Sequence, residues 1–127
     1  MDDAARIKVA LDYIAAYNAA DLDAILALYA PDASMEDPVG GEPVRGVEAI
    51  SALYRMGFEM GVQLELEGPV RATGNAVAFA ICGRTARGRL YIIDVFDLTP
   101  AGKIARMRAY WGPDNLVGEM DLAVPGA

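Results

Sequence analysis

The sequence predicts an α+β fold in which three helices from the first half of the chain pack on a curved, mostly antiparallel sheet from the second half. Apolar residues recur at helical spacing in three early segments, whereas four later segments are rich in β-branched and aromatic residues. The chain has 127 residues, of which 54% are hydrophobic, and this is enough for one domain that encloses a pocket. We therefore expect a single domain over residues 1–127, and the order of residues 121–127 stays open.

The first two helices are indicated by apolar stripes. The first is predicted over Asp3–Asn18, where Ile7, Leu11 and Ile14 form one stripe and Ala10, Tyr13 and Tyr17 form an adjoining one. The second, shorter helix is predicted to begin after Asp21, a residue suited to an N-cap, and to stop before Pro31. Its apolar side consists of Leu22, Ile25, Leu26 and Tyr29.

A loop, a third helix and four strands follow. The glycines and prolines between Asp32 and Gly46 indicate a loop or short irregular strands. The next helix is predicted to end near Gly57, with Val47, Ile50, Leu53 and Tyr54 on its apolar side. The predicted strands are Val62–Ala72, Ala76–Arg84, Arg89–Thr99 and Ile104–Trp111, joined by turns at Gly74-Asn75, Arg87-Gly88 and Ala101-Gly102. Together these elements form a helical layer on one face of a meander.

Composition excludes several classes of function. The net charge is −7 and the basic residues are scattered, so we expect neither nucleic acid nor a membrane as partner. The first residues lack the pattern of a signal peptide, and we expect a cytoplasmic protein. A lone Cys82 and the absence of histidine exclude cysteine clusters and histidine-based catalysis. Acid–base chemistry would therefore use carboxylates, tyrosines, lysine or arginine.

Asp94 is the most unusual residue of the sequence because it lies in the middle of an apolar strand. Strand alternation places it on the same face as Ile92 and Phe96. Burial disfavours a charged carboxylate, so the pKa should rise and the neutral acid could donate a hydrogen bond to an oxyanion. The alternative is an arginine partner on a neighbouring strand; Arg84, Arg106 and Arg108 are the candidates.

Asp37 and three tyrosines are further candidates. Asp37 precedes Pro38, which favours an extended conformation outside any helix, and the alternative to a reactive group is an ordinary Asp-Pro surface turn. Tyr13, Tyr29 and Tyr54 are each predicted on the apolar side of a helix. Their hydroxyls could satisfy one another and Asp94, or each ring could pack in the core with its hydroxyl in water.

Eight short segments carry a family resemblance. In order they are Tyr13-Ile-Ala-Ala-Tyr, Asp21-Leu-Asp-Ala-Ile, Tyr29-Ala-Pro-Asp-Ala, Glu36-Asp-Pro, Leu53-Tyr-Arg, Gly68-Pro-Val-Arg-Ala, Asp94-Val and Ala109-Tyr-Trp. Taken together they resemble the bacterial ketosteroid isomerase family, also called steroid Δ-isomerase. The resemblance extends over most of the chain, and the ordered combination is far more specific than any one segment.

This resemblance implies a fold, a reaction and a set of roles. It implies the cone of the nuclear transport factor two-like superfamily, with one deep apolar pocket, and a homodimer formed through the sheet. The implied reaction moves the double bond of a Δ5-3-ketosteroid to Δ4 through a dienolate, without metal or cofactor. Asp37 matches the catalytic base, Tyr13 and Asp94 the oxyanion donors, and Tyr29 and Tyr54 their supporting network. The expected pocket residues are Trp111, Met107, Phe96 and Phe79.

Some features depart from the family pattern and keep other functions open. The turn Thr85–Arg89 is short, Tyr91 replaces a more polar residue, and Met56–Gly61 is bulky, so the substrate's size stays open. Related cones include cyclases, dehydratases and epoxide hydrolases. The lack of histidine argues against a dehydratase, whereas Arg84 near Asp94 would favour an Asp-Arg-Asp epoxide hydrolase. A module that binds an apolar ligand without turnover is the third hypothesis.

Overall fold

The computed structural model describes residues 1–120, which form three α-helices on one face of a seven-stranded sheet. The helices are α1 (Asp3–Asn18), α2 (Leu22–Leu26) and α3 (Val47–Glu59). The strands are β1 (Tyr29–Glu36), β2 (Val44–Arg45), β3 (Gln63–Thr73), β4 (Ala76–Arg84), β5 (Gly88–Leu98), β6 (Ile104–Tyr110) and β7 (Leu116–Gly118), with a 3-10 turn at Pro113–Asn115. The predicted fold class is confirmed. Residues 121–127, whose order the sequence left open, lie outside the described part.

Helix α1 has the predicted bounds, and it buries one of its two predicted stripes fully and the other only in part. The Asp2 side chain caps it by accepting a hydrogen bond of 2.8 Å from the Ala5 N–H. Ala10, Tyr13 and Tyr17 face the sheet, whereas Leu11 is 46% exposed. A helix of this length presents one face to a sheet, and the two tyrosines offer the larger area for burial.

Asn18 fixes the end of α1 to β3. Its side-chain amide donates to the Leu64 carbonyl at 2.8 Å, and its Oδ1 accepts from the Leu64 N–H at 2.7 Å. This pair of bonds gives the first residues of β3 a partner on their free side and sets the height of α1 above the sheet.

The prediction of Tyr29 on a helix is wrong. Helix α2 ends at Leu26, and Tyr29 begins strand β1. The reason is Pro31, which has no N–H to donate and forces the preceding residue toward an extended conformation. Ala30 is therefore extended, and the strand also includes Tyr29 before it. Of the two alternatives predicted for the segment from Asp32 to Gly46, a loop or short irregular strands, the second is confirmed, since β1 continues to Glu36 and β2 covers Val44–Arg45.

The sheet extends the predicted meander beyond β6 by two strands and adds a short strand beside β5. Strand order is β2-β1-β6-β5-β4-β3, and β7 pairs with β5. The four predicted strands are confirmed with ends that differ by at most one residue, and the strands β3 to β6 are antiparallel. Strand β1 joins β6 in parallel, with Met35 beside Met107. Within the described residues, no helix is long and apolar enough to span a membrane.

Candidate active site

A pocket opens between α1, α3 and the inner face of the sheet. It encloses about 880 Å³ of empty space, a volume that includes open solvent at its mouth. Its walls are mostly apolar, and five of the chain's six methionines line it: Met35, Met56, Met60, Met107 and Met120. Its polar lining comes from Tyr13, Tyr17, Asp37, Tyr54, Asp94 and Trp111. The two aspartates singled out in the sequence therefore share one cavity.

Asp37 reaches the pocket because β1 and β6 run in the same direction. It directly follows β1, Trp111 directly follows β6, and the parallel pairing brings these two strand ends together. The Trp111 indole Nε1–H donates to Asp37 Oδ1 at 2.6 Å. Burial raises the pKa of the Asp37 carboxyl, and the indole hydrogen bond opposes that rise because it favours the charged form. The surface-turn interpretation of Asp37 does not hold, since its side chain faces the pocket.

Asp94 lies in the centre of the sheet with no cation beside it. It is opposite Phe79 on β4 and Ala109 on β6, and it is 2% exposed. Among residues 1–120, nothing forms a hydrogen bond to its Oδ1. Burial raises the pKa of this carboxyl well above its usual value, and the nearby Asp37 raises it further. Burial therefore favours the neutral form of Asp94, in which the carboxyl can donate a hydrogen bond into the pocket.

The alternative that an arginine pairs with Asp94 is wrong. All three candidate arginines pair with other carboxylates: Arg84 with Glu65, Arg106 with Glu36, and Arg108 with Asp97. Strand alternation explains this, because these arginines point to the outer face of the sheet while Asp94 points inward. The Asp-Arg-Asp arrangement, which required Arg84 near Asp94, is absent for the same reason.

The three predicted tyrosines form a buried cluster beside Asp94. The hydroxyls of Tyr29 and Tyr54 are 2.5 Å apart. Burial raises the pKa of Tyr13 well above its usual value, Asp94 raises it further, and a hydrogen bond with the Tyr54 hydroxyl opposes the rise. Burial also raises the pKa of Tyr29 and of Tyr54. All three phenols therefore stay protonated, and Tyr13 presents its hydroxyl at the pocket wall.

Of the four expected pocket residues, the structure places two at the pocket surface. Trp111 and Met107 line it. Phe79 and Phe96 do not: both are completely buried behind the wall and pack edge-to-face against Tyr13, with ring centroids 6.1 and 5.0 Å from it. Alternation predicted their face correctly, but their depth depends on the Tyr13 ring, which lies between them and the cavity. Their contribution is to hold that ring in place.

Two features of the pocket were missed in the sequence. Tyr17 lines the pocket one helical turn after Tyr13, and the i, i+4 spacing was the available signal. Residues after β6 return to β5 as β7 and bring Met120 to the mouth. Strands β5 and β7 approach closely where Gly88 pairs with Gly118. A Cβ on Gly118, whose φ is +85°, would lie 2.5 Å from the Arg87 carbonyl oxygen. An ion pair between Arg87 and Glu119 lies beside the same pairing.

No cluster of three or more metal-ligating side chains occurs in the part of the chain that the structure describes.

Comparisons with known proteins identify a domain family and relatives with two kinds of activity. The model of the SnoaL-like domain family matches residues 10–107. The chain is 40% identical over 118 residues to the Steroid Delta-isomerase of Nocardioides simplex, covering 89% of this chain and 95% of that protein. It is 35% identical over 116 residues to Epoxide hydrolase LasB of Streptomyces lasalocidi, covering 84% of this chain and 41% of that protein.

Solved structures include a near match in fold. The epoxide hydrolase/cyclase-like enzyme SalBIII, described for pyran ring formation in the polyether salinomycin, superimposes with a TM-score of 0.87. The two chains are 29% identical, and the match covers 93% of this chain and 98% of that one.

We predict that Trp111→Phe raises the pKa of the Asp37 carboxyl. The substitution keeps an aromatic wall but removes the indole donor that favours the ionised form, so burial acts without opposition. The check is a carbon-detected NMR titration of the aspartate carboxyls in both proteins, in which the signals of exposed aspartates serve as the internal control. An unchanged or lower midpoint for Asp37 would show that the indole hydrogen bond does not set its protonation.

Proposed function

The chain belongs to the SnoaL-like domain family and resembles a steroid Δ-isomerase, the second of these as the sequence predicted, and from this premise we propose that it is a cofactor-independent isomerase that moves the double bond of a Δ5-3-ketosteroid to Δ4. The observation that carries the proposal is the pair of unlike carboxyls in one apolar pocket. Asp37 accepts an indole hydrogen bond that favours its charged form, whereas Asp94 has no cation and no donor at Oδ1 within residues 1–120. One is suited to act as base and the other as neutral donor. The steroid isomerase relative supports the same assignment.

The proposed reaction transfers one proton in two steps. The Asp37 carboxylate removes a proton from C4, the electrons of the C4–H bond form the dienolate, and the ketone oxygen gains negative charge. Tyr13 and Asp94 donate hydrogen bonds to that oxygen without losing their protons, because burial keeps both in the neutral form. Asp37 then returns the proton to C6, and the double bond moves into conjugation. The net reaction consumes no oxidant, reductant or water.

The apolar walls contribute to this chemistry. They exclude water from the carboxylate and the dienolate, so the few polar groups of the pocket interact more strongly than they would in water. The hydroxyl contact between Tyr29 and Tyr54, together with the edge-to-face packing of Phe79 and Phe96, fixes the Tyr13 ring before substrate arrives. A donor that does not have to reorient stabilises charge at the lowest cost.

A second candidate is acid–base opening of an epoxide. Its support is the similarity to LasB and SalBIII. In that reaction Asp94 would give its proton to the epoxide oxygen as the C–O bond breaks, and Asp37 would accept a proton from the attacking hydroxyl or water. The same two carboxyls serve both reactions, so only turnover of defined substrates distinguishes them. A ligand-binding module without turnover predicts neither product.

We also propose a homodimer that forms through the outer face of the sheet, as the family resemblance implies. The side chains of Tyr91, Ile93 and Tyr110 on β5 and β6 point away from the helices and are 38%, 49% and 43% exposed. Neighbouring strands β4 and β5 are in register here, with Ala80 beside Ile93. Three large apolar side chains on adjacent strands of an open sheet form a patch that a second copy can cover.

We predict that the protein converts 5-androstene-3,17-dione to the conjugated 4-ene isomer and that Asp37→Asn lowers kcat by about 10²–10⁴-fold, since a general base is lost. The measurement is the rise in ultraviolet absorbance of the enone. Ligand affinity should change little because the amide has nearly the shape of the carboxyl. Asp32→Asn, on the exposed side of the same strand, is the matched control and should keep wild-type turnover.

Two results would overturn this proposal. Absence of any rate above buffer with wild-type protein excludes the isomerase, and conversion of an apolar epoxide in its place would establish the second candidate. Near-full activity of Asp37→Asn excludes Asp37 as the base.

For Asp94 we predict that Asn is tolerated better than Leu. An amide still donates a hydrogen bond to the dienolate oxygen, so Asp94→Asn should lose about tenfold in kcat, whereas Asp94→Leu should lose about 10²–10³-fold, the usual effect of removing one oxyanion donor. Steady-state kinetics on the same substrate give both values. Asp97→Asn, on the outer face of the same strand, should behave as wild type. Equal losses for Asn and Leu would show that Asp94 acts as an anion or only structurally.

For the homodimer we predict a mass near twice 13.5 kDa for the wild type and a monomer for Ile93→Lys. A charge in the centre of the patch cannot be solvated once the face is covered. Sedimentation equilibrium measures the mass. Leu11→Lys adds the same charge at another exposed apolar residue, on α1, and should leave the mass unchanged. A wild-type monomer, or dissociation by both variants, would contradict the proposed interface.

A further inference from the structure

We propose that the Tyr17 hydroxyl is a specificity-determining hydrogen-bond donor, which binds an oxygen substituent on the body of the substrate. This role is separate from the three groups that act on the enone. The inference rests on the proposed function in one respect: it takes the substrate carbonyl to lie beside Tyr13 and Asp94. It names the substrate class as an apolar polycyclic ketone that carries a second oxygen atom in its middle portion.

Tyr17 is held at the pocket wall by neighbouring rings. It follows Tyr13 by four residues on α1 and therefore lies on the same face, one turn along. Its ring centroid is 5.1 Å from that of Phe58 and 6.1 Å from that of Tyr54, both on α3. These contacts fix the ring plane, and the side chain is buried except where it meets the pocket.

Gly57 gives the Tyr17 hydroxyl its place. Gly57 faces α1 from the last turn of α3, and a Cβ built on it would overlap the Tyr17 hydroxyl and lie 3.3 Å from the ring carbon that bears it. Any other residue at this position would displace the hydroxyl. Gly57 also lines the pocket, so the hydroxyl lies where a bound ligand would meet it. Glycine within a helix is unfavourable compared with alanine, and the space for this hydroxyl accounts for its presence.

The hydroxyl has no partner among the described side chains and backbone groups, unlike those of Tyr29 and Tyr54, which contact each other. It is accessible from the pocket, since it is not among the fully buried unpartnered atoms. Burial raises the pKa of Tyr17 to about 12, with a further contribution from Asp37, so the phenol keeps its proton throughout the neutral range. It is a donor available to a ligand.

This free donor has a direct consequence for selectivity. A ligand that covers it with hydrocarbon removes its hydrogen bond to water and gives nothing in return, which disfavours binding. A ligand with a hydroxyl or carbonyl oxygen at that position restores the bond. Residues four apart on a helix are about 6 Å apart along its axis. The favoured oxygen therefore lies roughly that far along the ligand from the enone carbonyl, in its second or third ring and not at its distal end.

The test is a binding comparison of wild type and Tyr17→Phe with androst-4-ene-3,17-dione and its 6β-, 7α- and 11β-hydroxy derivatives. Trp111 is the chain's one tryptophan and it lines the pocket, so quenching of its fluorescence reports occupancy of this site. We expect Tyr17→Phe to weaken binding of at least one hydroxy derivative about tenfold, the usual effect of one hydrogen bond. Binding of the parent diketone should change less than about twofold.

Gly57→Ala provides an independent variant. Its methyl group displaces the Tyr17 hydroxyl and should reproduce the selective loss of affinity. Adding Gly57→Ala to Tyr17→Phe should cause little further loss, since the hydroxyl that it displaces is already gone.

Equal weakening of the binding of all four ligands by Tyr17→Phe would show that Tyr17 is only structural. The inference would also be overturned if binding of no ligand were weakened, or if the wild type bound none of them. Wild-type protein that shows this selectivity without isomerising 5-androstene-3,17-dione would contradict the proposed function and leave the inference standing. Isomerisation without this selectivity would contradict the inference and leave the proposed function standing.

Discussion

The parallel pairing of β1 with β6 is the constraint on which the site depends. Most of the sheet is a meander in which strands that are neighbours along the chain pair with one another. Strand β1 instead pairs in parallel with β6, the last strand of the meander, and so brings the segment before α3 beside it. Since the two strands run in the same direction, the residues that follow them meet at the same end of the strand pair. There the Asp37 carboxyl accepts a hydrogen bond from the Trp111 indole.

Separation of charges across the sheet gives the pocket its chemistry. The three candidate partners of Asp94, Arg84, Arg106 and Arg108, are engaged by carboxylates on the outer face, while the inner face of the sheet carries Asp94 among apolar side chains. The pocket therefore contains neutral hydrogen-bond donors and one carboxylate, Asp37, which accepts a hydrogen bond from the Trp111 indole. The aromatic cluster of Tyr13, Phe79 and Phe96 makes this arrangement rigid, because each ring is held edge-to-face by its neighbours.

Local patterns predicted most of the fold and part of the site. Alternation placed Asp94 on the inner face and gave the strands of the meander nearly to the residue, and the residue before Pro38 was correctly expected outside a helix. Tyr29 was misplaced because the apolar spacing continued into a segment that Pro31 makes extended. Phe79 and Phe96 were assigned to the right face but to the wrong layer, since periodicity carries no information about depth. The spacing of Tyr17 from Tyr13 indicated its face of the helix, but the position of its hydroxyl could not be predicted because it depends on space left by Gly57, forty residues away in the chain.

The cation-free burial of Asp94 also affects how the protein resists unfolding. Its carboxyl has a raised pKa in the folded state, whereas an unfolded chain would release the proton near the ordinary value of 3.8. Above that pH the folded protein binds more protons than the unfolded chain, so the free energy of unfolding falls as the pH rises toward the folded-state pKa. Asp94 therefore contributes its full share of stability only in acid and weakens the fold at neutral pH. Asp94, the proposed donor, is thus kept at the expense of thermodynamic stability, and the rest of the core must supply the difference.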